Sequence, residues 1–79
     1  MTDSKRTIIE IIADCFQMNP DEITMDLSAG DIPQWDSVGQ INLIATLEDK
    51  LKIEFPIDEL FELNNVQAIV DSAEKLLKD

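Results

Sequence analysis

An aspartate followed by a serine, Asp36-Ser37, stands where a long polar stretch gives way to an amphipathic one, and this pair is the best placed in the chain for chemistry on a side chain. A serine hydroxyl is a weak nucleophile by itself and needs a base, or an enzyme acting from outside, to react. No internal base suits the task. The 79 residues contain no His, no Tyr and six Lys and Arg in all. Carboxylates are abundant, at seventeen Asp and Glu, but a buried acid/base pair needs an enclosing pocket that so short a chain rarely builds beside a core. Cys15, the single cysteine, lies on an apolar helical face with no basic residue at helical spacing to draw out its thiolate, so it reads as a packed thiol. There is no glycine-rich phosphate loop and no zinc-type ligand set, so no metal site is expected. The composition describes a protein that binds or is acted upon, and not an enzyme.

The elements that must position Asp36-Ser37 follow from periodicity. Over residues 4–17, Ile8, Ile9, Ile11, Ile12, Cys15 and Phe16 recur at helical spacing, with Thr2, Asp3 or Ser4 available as N-cap and Asn19-Pro20 as the stop. Residues 18–36 hold two prolines, a glycine and no sustained period, which predicts a long loop with a short helical turn near 21–24. Its scattered Ile23, Met25, Leu27, Ile32 and Trp35 pin it to a core. Trp35 is expected as the anchor, since an indole buries a large area when it can. A second helix is predicted over 38–51, burying Val38, Ile41, Leu43, Ile44, Leu47 and Leu51. Beyond Pro56, Asp58 caps a short helix through residues 59–62, with Phe61 as a further core residue. Asn64 or Asn65 then caps a last helix whose apolar positions are Val66, Ile69, Val70, Ala73, Leu76 and Leu77. The LKIEFPI stretch alternates briefly, but a lone strand has no partner. The expected fold is all-α: a four-helix bundle with a short third helix and a long loop between the first and second helices.

The charge balance narrows the partners. A net charge of −11 repels phosphate backbones and argues against nucleic acid, while basic protein surfaces are attracted. No apolar run approaches bilayer length, and Glu10 and Asp14 interrupt the one that follows Lys5 and Arg6, so neither membrane insertion nor a signal peptide is expected. The unpaired cysteine suits a reducing, cytoplasmic setting, and the charge suits a monomer.

At the loop-helix junction two readings of Ser37 stand side by side. Ser37 followed by Gln40 fits a capping box, in which the hydroxyl accepts a backbone N–H and the Gln side chain reaches back. The same helix start, with its partial positive charge, would also favour a phosphodiester attached to that hydroxyl. Gly39 is either a point of close approach to the backbone or a tolerated helical glycine.

The run WDSVGQINLIATLEDKL resembles the modification motif of acyl carrier proteins, an Asp-Ser pair opening an amphipathic helix. The resemblance extends through NPDEIT, EFPIDELFEL and VQAIVDSAEKLL, so that residues 1–79 read as a single acyl-carrier-like domain. It implies that Ser37 receives 4′-phosphopantetheine from a phosphopantetheinyl transferase, with Asp36 as part of the recognition and metal-assisted transfer site. It further implies acyl or aminoacyl thioesters on the arm, put there by a loading ligase or transferase and presented to downstream biosynthetic enzymes with basic patches. The space between the second and third helices accepts an acyl chain in this family. Val38 and Gly39 beside the serine, and Glu48, Asp49, Glu54, Asp58, Glu59 and Glu62 further along, are the implied partner-facing residues. Typical fatty-acid carriers are acidic two and five positions after the serine, where this chain has Gly39 and Asn42. That departure points to a specialised lipid, polyketide or peptide-type pathway. The competing reading is an acidic helical interaction module in which Ser37 is only a cap.

Overall fold

The computed structural model describes residues 2–77. Helix α1 (Thr2–Phe16) is followed by a 3₁₀ turn (Pro20–Glu22), α2 (Ser37–Leu51), the single-turn α3 (Ile57–Leu60) and α4 (Val66–Leu77). Among the described residues no strand forms, and one antiparallel bridge joins Ser28 to Asn65. The all-α bundle with a short third helix and a long first connection is as the periodicity predicts.

α1 lies at the centre, packing on α2, on α4 and on the 3₁₀ turn. Its Ile8, Ile11, Ile12, Ala13 and Phe16 meet Leu43, Ile44 and Leu47 of α2 and Val66, Ile69, Val70 and Ala73 of α4 in one core, which Ile23, Trp35, Phe55 and Leu63 complete from the connections. The helix already includes Asp3 and Ser4, so neither is its cap, and the position before Thr2 lies outside the described residues.

α1 ends before the proline has any say. Gln17 turns left-handed at φ 60°, and Met18 N–H donates to Ala13 O at 2.8 Å while Gln17 N–H donates to Asp14 O at 3.2 Å. This is a Schellman close, which satisfies carbonyls the last turn would otherwise leave open. α2 ends in the same way, with Lys52 at φ 58° and Ile53 N–H on Glu48 O at 3.3 Å.

The connection from α1 to α2 is held by backbone bonds that also serve as the cap of α4. Val66 N–H donates to Leu27 O at 2.9 Å, Gln67 N–H to Met25 O at 3.0 Å, and Ala68 N–H to the Asn65 side chain at 2.7 Å. The first three amides of α4, which have no partner inside their own helix, are thus all satisfied. Of the two candidate caps, Asn65 takes the role. Near its far end the loop tightens at Gly30, φ 93°, whose N–H donates to Trp35 O at 2.9 Å. Only a glycine adopts that conformation without strain.

Several expectations about the surface are corrected. Val38 and Ile41 were expected in the core but are 65% and 69% exposed, and Phe61 is 85% exposed. Ile41 and Leu43 are two positions apart, which puts them on opposite sides of α2, and α3 is too short to cover the outer one. Leu77, at the last turn of α4, is also exposed. α3 begins at Ile57, straight after Pro56, so Asp58 lies inside it and does not cap it. A proline at the cap, with φ −61° and ψ 141°, presets the entry and moves the start forward.

Candidate functional site

Asp36, and not Ser37, caps α2. Its Oδ1 accepts the Gly39 N–H at 2.8 Å, its backbone is extended, and Gln40 N–H donates to Asp36 O at 2.8 Å as the first bond of the helix. Ser37 is therefore the first helical residue. Its side chain is exposed, and among the described residues its hydroxyl has no hydrogen-bond partner. The capping box expected of Ser37 and Gln40 is not formed. Ser and Asp both cap well, and with the two adjacent the carboxylate takes the amide. With that, the reading of Ser37 as only a cap loses its physical basis.

Gln40 is engaged elsewhere. Its Oε1 accepts the indole N–H of Trp35 at 2.5 Å and its Nε2 donates to Leu63 O at 2.6 Å. Trp35 is 0% exposed, as the anchor reading expects, with its ring centroid 5.3 Å from that of Phe16. A buried indole N–H needs an acceptor, and Gln40 supplies it. Gln34 adds a second tie, donating through Nε2 to Phe16 O at 3.0 Å.

Gly39 answers to close approach. A Cβ built there would collide with the backbone carbonyl oxygen of Gln34 and lie 3.4 Å from Asp36 Oδ1. The obstacle is the chain's own loop, folded back against the first turn of α2. No acidic side chain fits two positions after Ser37 in this backbone.

The exposed faces of α2 and of the α3 segment carry large apolar side chains with acidic residues on the same elements. Val38, Ile41, Ile57 (75% exposed) and Phe61 stand out from α2 and α3. Between the two helices runs a groove of about 280 Å³ lined by Gln40, Ile41, Ile44, Ala45, Glu48 and Leu60. A hollow of about 480 Å³ lies between α1 and the 3₁₀ turn, but it is lined by Lys5, Arg6, Ile9, Glu10, Pro20 and Asp21 and includes no residue near Ser37.

Of the acidic candidates, Asp49, Glu54, Asp58 and Glu62 are exposed. Glu48 and Glu59 are spent inside the fold. Glu48 Oε2 accepts the Phe55 N–H at 2.9 Å, and Glu59 accepts the Ser72 hydroxyl at 2.7 Å and lies 3.9 Å from Lys75 Nζ. Cys15 is half-buried, and desolvation raises its thiol above the ordinary value, with a smaller lowering by a hydrogen bond from Thr46 and a further push from the Asp14 carboxylate. That suits a packed thiol. Beyond the core and cap corrections already given, the sequence pattern assigned Gln40 to a capping box that does not form and did not single out Gln34 or Ile57. For Gln40 the usable signal was an indole in need of an acceptor five positions before a Gln.

The family model described as "Phosphopantetheine attachment site" matches residues 6–72. Acyl carrier proteins of Clostridium perfringens, from strain SM101 and strain 13 among others, are 37% identical over 62 residues, covering 78% of this chain and 82% of theirs. The solution structure of a holo acyl carrier protein from Geobacter metallireducens superposes with a TM-score of 0.83 at 35% identity, covering 95% of this chain and 86% of that one.

Proposed function

The chain belongs to the acyl carrier protein family, and on that premise we propose that Ser37 is its attachment point for the arm and that its cargo belongs to a specialised pathway. The protein is a carrier and not an enzyme, and its prosthetic group is covalent 4′-phosphopantetheine. The observation that carries the assignment to Ser37 is the division of labour at the start of α2. Asp36 satisfies the helix, and the serine hydroxyl stays exposed and uncommitted.

A phosphodiester on Ser37 would stand at the positive end of α2, in a favourable field. Among the described residues the second oxygen of the exposed Asp36 carboxylate has no hydrogen-bond partner, which leaves it for a transferase or the metal that the enzyme brings. When bound, the arm supplies a thiol for thioester chemistry. The chain itself supplies a tether, which raises the effective concentration of cargo at each partner's active site.

Partners follow from the surface. A phosphopantetheinyl transferase and biosynthetic enzymes are those of the family. We place their footprint on Val38, the Gly39 turn, Ile41, Ile57 and Phe61, within a rim of Asp49, Glu54, Asp58 and Glu62. Such a footprint fits a partner with an apolar centre and a basic border. Gly39 and Asn42, where typical fatty-acid carriers are acidic, support cargo loading by a specialised acyl or aminoacyl ligase or transferase. Among the described residues no helix is long and apolar enough to cross a membrane, and we place the protein in the cytoplasm as one domain and a monomer.

The carrier role is tested by counting thiols in a Cys15→Ala background. Conversion to the holo form should create one maleimide-reactive thiol, acyl loading should remove it, and hydroxylamine should restore it. A holo protein whose thiol no acyl or aminoacyl donor can block would count against the carrier role of this site.

A further inference from the structure

Gln40 touches both the attachment loop and the groove between α2 and α3. It lines that groove, and its amide joins the Trp35 indole to the Leu63 carbonyl at the α3–α4 junction. Trp35 is fixed on its other side by Phe16 of α1, and Asp36 and Ser37 are the next two residues. Beside the Gln34–Phe16 and Gly30–Trp35 bonds, the loop before Ser37 is therefore tied to the far side of the bundle through an amide wedged between two buried neighbours. Leu63 is 2% exposed, so neither the indole N–H nor the Leu63 carbonyl has ready access to water as a replacement.

We propose that Gln40 is a positioning residue for modification of Ser37: by tying Trp35 to the α3–α4 junction it holds the Asp36-Ser37 turn in the orientation that the transferase uses. This rests on the reading of Ser37 as the attachment point. Gln40 need not touch substrate. It acts through Trp35, and its effect falls on the orientation of the serine, while Val38, Ile41 and Phe61 of the docking surface point outward, away from the amide's buried partners.

The test compares four variants with the parent protein in modification by coenzyme A and a broad-specificity phosphopantetheinyl transferase. Gln40→Met keeps the length and loses both hydrogen bonds. Gln40→Glu keeps an acceptor for the indole and, ionised, sets an oxygen against the Leu63 carbonyl. Gln40→His in its neutral form again offers one acceptor and one donor, on two nitrogens flanking a single carbon as the amide O and N do. Ser72→Ala breaks a polar tie of α4 far along the chain from Ser37 and serves as a control for stability alone. Because the parent has a single Trp, its indole N–H gives one proton–nitrogen resonance, whose exchange with solvent reports directly on the bond to Gln40.

In Gln40→Met the indole proton should exchange faster, and kcat for modification should fall about tenfold or more with KM little changed, as expected when a reacting group is misplaced. Gln40→Glu should keep the slow indole exchange and still lose rate, so the inference remains testable should the Met variant fail to fold. Gln40→His should recover most of the rate, and Ser72→Ala should lose none. An unchanged kcat in Gln40→Met with the indole proton freed would overturn the inference. So would equal losses in Gln40→Met and Ser72→Ala without recovery by His. If the parent protein itself gains no phosphopantetheine, it is the assignment of Ser37 that fails, and the inference falls with it.

Discussion

Asp36 caps α2 and leaves the adjacent Ser37 hydroxyl exposed, and the difference between the two residues is measurable. Asp36→Ala should cost about 1 kcal/mol in urea unfolding, the usual worth of an N-cap. Ser37→Ala should stay within about 0.5 kcal/mol of the parent, as exposed substitutions without a structural role do. A cap-sized loss at Ser37 would contradict the geometry at the start of α2. Gly39→Ala should destabilise by about 1–3 kcal/mol, since the new methyl meets the Gln34 carbonyl in a backbone that has little room to move. The dyad was legible in the sequence because its position at a loop-helix boundary is a matter of pattern. Which member caps was not legible, because it depends on the competition between adjacent good caps and on Trp35 claiming Gln40. Cys15 carries a pH signature. Burial disfavours its thiolate in the folded state, so the raised pKa leaves stability intact below the ordinary thiol range and erodes it as pH rises into and through that range. Cys15→Ala should remove this alkaline loss from the unfolding profile.

The helices were legible in the sequence where their apolar stripes are long, and less so at their ends. α1 and α2 both close on left-handed residues, Gln17 and Lys52, that do not announce themselves as glycine would. An L side chain in that conformation costs of order 1 kcal/mol, so Lys52→Gly should raise the unfolding free energy by about 0.5–1 kcal/mol. A decrease would mean that the Lys side chain contributes more than its backbone costs. α3 was hardest to place, being a single turn that Pro56 caps two residues ahead of the expected Asp58, with no buried residue of its own. For the same reason the periodic pattern put Val38, Ile41 and Phe61 in the core: periodicity tells which residues share a face, but not whether a neighbour is long enough to cover it. Ile41→Ser should therefore leave the unfolding midpoint nearly unchanged and raise the KM of a loading partner. The opposite pattern, a large loss of stability with partner kinetics intact, would return Ile41 to the core.

At the scale of the whole molecule, charge is the dominant fact. Among the described residues two ion pairs form, Arg6 with Glu10 at 3.3 Å and Lys75 with Glu59 at 3.9 Å, and a net charge of −11 remains. Such a surface repels itself and loses stability to that repulsion. The resemblance carried by WDSVGQ and its flanking elements pointed to the right family before any contact was known, because carriers are defined by the order of their elements around one serine. The claim on which the account turns is that this serine, exposed and free of capping duty, is where the prosthetic group goes. The direct measurement is the intact mass of the protein before and after incubation with coenzyme A and a broad-specificity phosphopantetheinyl transferase, with Ser37→Ala alongside. The parent should gain one phosphopantetheinyl increment and the variant none. An increment that persists in Ser37→Ala, or none on a folded parent, would contradict that claim.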